Sequence, residues 1–60
     1  MTKERAFKFA QQAVNKARIA FDHEAKRPNI PEGELETLKD KIEYALLVQR
    51  LVHEYYKEEE

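Results

Sequence analysis

The sequence predicts an all-α fold: an antiparallel two-helix hairpin that pairs with a second copy into a dimeric four-helix bundle. Three observations predict it. Two long stretches with helical apolar spacing flank one proline-containing connector, Arg27 to Gly33. Each stretch carries a seam of 3-4 spacing, the pattern of helices that pack side by side. The second stretch carries a further apolar stripe that one neighbour cannot cover. At 60 residues one domain spanning 1–60 is the ceiling, and a lone hairpin of this size buries little of its surface.

The first helix is expected over 2–26. Its seam runs Ala6, Ala10, Ala13, Ala17 and Ala20, with Phe7, Val14 and Phe21 along one side and Phe9 on the other. Alanines on a seam let two backbones approach closely, and the large flanking residues close the edges. Ile19 points almost opposite, where a single exposed apolar side chain is ordinary.

The connector, 27–31, follows from proline stereochemistry. Pro28 pushes Arg27 out of the α region and ends the first helix near Lys26. Asn29 and Glu32 then form the Asn-x-x-Glu version of a capping box, with Pro31 tolerated in the first turn. The second helix is accordingly expected over 30–58. A tight connector makes the two helices antiparallel neighbours. The closing run Glu58-Glu59-Glu60 sits at the negative end of a helix dipole, so fraying is expected there.

The second helix keeps an unbroken 3-4 alternation through Leu35, Leu38, Ile42, Ala45, Gln49, Val52 and Tyr56, flanked by Leu46. In an antiparallel hairpin Leu38 falls near Ala20, Ile42 near Ala17, Ala45 near Ala13 and Gln49 near Ala10. Gln49 is the polar member of this seam, a type of residue that can set register. Tyr44, Leu47, Val48, Leu51 and Tyr55 form the further stripe, rotated more than a quarter turn away. Burying five large apolar side chains contributes roughly 5–10 kcal/mol before the cost of association. This stripe is the candidate self-association interface, with a heterologous protein as the other possible occupant.

Composition narrows the chemistry. Cysteine and serine are both absent, which removes disulfides, thiol catalysis and serine nucleophiles. Asp22-His23-Glu24 resembles a ligand cluster, but successive helical residues point about 100° apart and cannot converge on one ion. Asp22 is expected to pair with Lys26 at i,i+4 instead. His53 lies beside the seam at the far end of the hairpin from His23, as a half-buried packing residue. No nucleophile–base pair and no phosphate loop is present. The expectation is a chain with no enzymatic activity, no cofactor and no metal. The longest apolar run, Tyr44 to Val48, is too short to span a membrane, and a cytoplasmic location is the default.

Charge is distributed unevenly. Residues 1–27 hold seven Lys or Arg against three acids, and residues 28–60 hold four against nine. No acid lies between Arg5 and Phe21. Arg5, Lys8, Gln12, Asn15, Lys16 and Arg18 therefore form a candidate nucleic-acid face, since basic and amide side chains are what phosphate contacts use. The inferred architecture is similar to that of small plasmid RNA-binding helical hairpins that dimerise into four-helix bundles. That likeness covers length, hairpin form and heptad seams, and implies no residue roles. The leading expectation is a small regulatory or protein-interaction module that self-associates. The alternative is RNA- or DNA-backbone binding through the first helix.

Overall fold

The computed structural model describes residues 1–57 and consists of two antiparallel helices, α1 (Lys3–Ala25) and α2 (Glu32–Lys57). The expected fraying of Glu58 to Glu60 lies outside the described residues. Helix α1 opens on Thr2, whose side-chain hydroxyl oxygen accepts from the Arg5 N–H at 3.3 Å. That contact satisfies one of the amide groups left unpaired at a helix start.

Helix α1 closes at Lys26, as Pro28 requires, and the Arg27 N–H donates to the Glu24 carbonyl at 3.0 Å. The side chains meet again one layer out, where the Arg27 guanidinium donates to the Glu24 carboxylate at 2.6 Å. This bond, with the field of Glu24 and then Glu34, raises the Arg27 pKa above its ordinary value. Asp22 and Lys26 form the expected i,i+4 pair at 3.6 Å.

Helix α2 begins at Glu32, not at Ile30, and Asn29 is not its cap. The rule that ends α1 also delays α2: Ile30 precedes Pro31 and is driven toward extended backbone. The first turn instead forms on Pro31, whose carbonyl accepts from the Glu34 N–H at 3.1 Å.

The contact between the helices is narrow. The buried apolar side chains are Ala6, Ala10, Val14, Leu38 and Ala45. The α2 seam is as the spacing predicts: Leu35, Ile42, Gln49, Val52 and Tyr56 are half-buried around Leu38 and Ala45. The α1 seam differs. Ala13 and Ala20 are exposed, and Val14 is the most deeply buried side chain at 1% exposure. Relative to the all-alanine seam, α1 is turned by about 40°. The physical reason is side-chain size: turning this way covers Val14, Phe7 and Phe21, which gain more from burial than alanines do.

The hairpin is elongated, with extents of 48 × 15 × 12 Å. Its radius of gyration is 14.2 Å, where a compact chain of this length has roughly 10 Å. It exposes 5157 Å², where a compact monomer of its mass exposes roughly 4100 Å². No helix among the described residues is long and apolar enough to cross a membrane.

Candidate interaction face

One edge of the hairpin is closed by specific contacts. The rings of Phe7 and His53 stack with centroids 4.2 Å apart and planes 21° from parallel. One turn further along, the Gln49 side-chain amide donates to the Gln11 side-chain oxygen at 2.7 Å. Gln11 in turn donates to Asn15 Oδ1 at 3.1 Å, which makes a short chain of amides across the edge. The structure thus gives Gln49 a partner on α1, one position beyond Ala10. His53 is exposed overall, yet one face of its ring is covered by Phe7.

The opposite edge is open. At about 100° per residue, Phe9 and Ala13 fall across the α1 seam from Phe7 and Gln11. Tyr44, Val48 and Tyr55 fall across the α2 seam from Gln49 and His53. Two antiparallel helices joined along one edge present their other edges on the same side. Phe9 and Ala13 therefore lie alongside the α2 stripe and form one apolar face.

The five stripe residues stand where the sequence predicts. Tyr44 is 71% exposed, Leu47 56%, Leu51 66% and Tyr55 71%, while Val48 is half-buried. Phe9, at 49% exposure, extends the patch onto α1. The spacing placed Phe9 at the margin of the hairpin seam. With α1 turned toward Val14, it belongs to the open face instead. The signal that would have found it is the size difference between Val14 and the alanines.

An aromatic chain links the two edges. Tyr56 meets Phe7 edge-on at 6.0 Å, and Tyr55 meets Tyr56 edge-on at 4.8 Å. Tyr55 is thereby braced from behind while its outer surface faces solvent. A pre-positioned ring loses less side-chain entropy when a second surface covers it.

All six residues of the candidate nucleic-acid face are exposed. They do not gather into one patch. Around α1 they spread over about 160°, from Arg18 beside the closed edge to Lys16 beside the open face. Asn15 is held by the amide chain. Among the described residues, no group of three or more His, Cys, Asp or Glu is placed to hold a metal ion. Shallow, open grooves lie near the connector, one lined by Phe21 and Ile42 and another by His23, Glu24 and Leu38.

No family model, curated protein or solved structure matches the chain.

Proposed function

We propose that this chain is a non-enzymatic helical module that acts by association, and that it self-pairs through the open face into a dimeric four-helix bundle. The observation that carries the reading is the mismatch between core and surface. Five side chains are buried, three of them alanines. Four large ones on α2 are more than half exposed, on the same side as Phe9. Covering them contributes roughly 1.5–3 kcal/mol per side chain before association costs. A symmetric dimer is the commonest way a soluble chain covers such a face.

The test is Leu47→Glu with Leu51→Glu. Neither residue is in the hairpin core, so both changes spare the Val14 contacts. The expected result is loss of self-association together with loss of helicity at low micromolar concentration, because the hairpin alone has a thin core. A double variant as helical and as heat-stable as the native chain would contradict the reading.

Phosphate-backbone binding by α1 ranks second. The absence of acids between Arg5 and Phe21 supports it. The wide angular spread of Arg5, Lys8, Lys16 and Arg18 weighs against it, since one phosphate path cannot follow them all.

A further inference from the structure

We infer that the second copy seats with its α2 over α1 of the first, related by a two-fold axis parallel to the helices. This rests on the self-association reading and assigns its geometry.

The hairpin fixes which residues share a height. The Phe7–His53 stack and the Gln11–Gln49 hydrogen bond both join positions whose numbers total 60. By that rule Phe9 is level with Leu51, Ala13 is level with Leu47 and one residue from Val48, and Lys16 is level with Tyr44. A two-fold axis parallel to the helices leaves heights unchanged. The same levels therefore apply between α1 of one copy and α2 of the other.

Complementarity of size selects this arrangement. Along the open edge of α1, Phe9 is followed by small or slender positions, Ala13, Lys16 and Ala20. Along the open edge of α2, Tyr44, Val48, Leu51 and Tyr55 are all large. Placing α2 over α1 sets large against small, which is how helix ridges fill grooves at 8–10 Å separation. Placing each helix over its own copy would set tyrosines against tyrosines and leave the alanines of α1 facing one another.

Charge does not choose between the arrangements: by the same levels Glu32 to Glu43 lie opposite positions 17–28 of α1, past Arg5, Lys8 and Lys16. Lys41 lies on the open edge within one residue of the level of Ala20, where its stem has room.

The area suffices. A face of 48 × 15 Å offers on the order of 700 Å² per copy, close to the ~800 Å² per partner of a standard interface.

The chain has no cysteine, so single introduced thiols report the arrangement cleanly. Ala13→Cys and Val48→Cys are prepared separately, mixed in equal amounts and oxidised. Each variant has one thiol, so every disulfide joins two chains. Both changes are conservative in volume. Ala20→Cys mixed with Lys41→Cys is a second pair that leaves the large apolar residues intact.

The expected result is a mixed disulfide that dominates both experiments, well above the half share of random pairing. Dominance of the Val48→Cys or Ala13→Cys homodimer would overturn the arrangement while self-association stands. Random proportions in both pairs, with the native chain dimeric by mass, would overturn it equally. A native chain that stays at monomer mass would remove the self-association reading and this inference with it.

Discussion

The imidazole of His53 lies flat on the ring of Phe7, 4.2 Å between centroids, and so joins the first turns of α1 to the last turns of α2. These residues are 46 positions apart in the chain. Their stack, with the Gln11–Gln49 bond, sets the register of a hairpin whose buried core is otherwise mostly alanine. Register follows from the polar and aromatic edge more than from the apolar seam. Alanine against alanine slides with little penalty, whereas a stacked ring pair or a directed hydrogen bond does not.

That edge should therefore be energetically coupled. A double-mutant cycle with Phe7→Leu and His53→Leu keeps apolar bulk and removes the stack. The expected coupling is about 0.5–1.5 kcal/mol, the range of aromatic pairs. Thermal or urea unfolding of the four proteins measures it, and additive effects would show that the stack does not fix the register.

The rotation of α1 makes a second prediction. Ala10 faces α2 at 4% exposure, so Ala10→Leu should overpack the hairpin and cost about 1–3 kcal/mol. Ala13 is exposed, so Ala13→Leu should leave the contacts between α1 and α2 intact. Because Ala13 lies on the open face, the readout that decides between the two seams is a contact within the hairpin, the Phe7–His53 stack, followed by the ring-current shifts of its protons. Ala10→Leu should disturb it and Ala13→Leu should not, whatever the latter does to self-association.

How much of this was legible in the sequence depends on side-chain size. The α2 seam is unambiguous because large apolar residues occupy it at strict spacing, and the structure buries or half-buries every one of them. The exposed stripe was legible for the same reason. On α1 the periodicity of five alanines outweighed three larger residues on one flank, although burial scales with apolar area and favours the larger ones. Phe9, on the flank of the alanine seam by spacing, consequently belongs to the open face. Asn29 failed as a cap because the constraint of Pro31 on Ile30 acts before any side-chain capping can.

The basic arc of α1 gives a third prediction. Arg5, Lys8, Lys16 and Arg18 point in widely different directions, so no single backbone path of RNA or DNA contacts all four. The native chain should form no sub-micromolar complex at physiological salt. A complex that weakens steeply with salt would support the second reading. Each phosphate contact contributes about 0.7–0.9 to the slope of log affinity against log salt. Loss of that slope on replacing the four residues by Gln would establish it.

The central claim is that the open face is covered by a second copy. Sedimentation equilibrium of the native chain tests it most directly, across concentrations from about 1 to 100 μM, the range in which a standard interface should assemble. The expected result is a mass that rises with concentration toward twice 7.2 kDa, with helicity rising in parallel. A constant mass of 7.2 kDa over the whole range, with full helicity and cooperative melting, would contradict it.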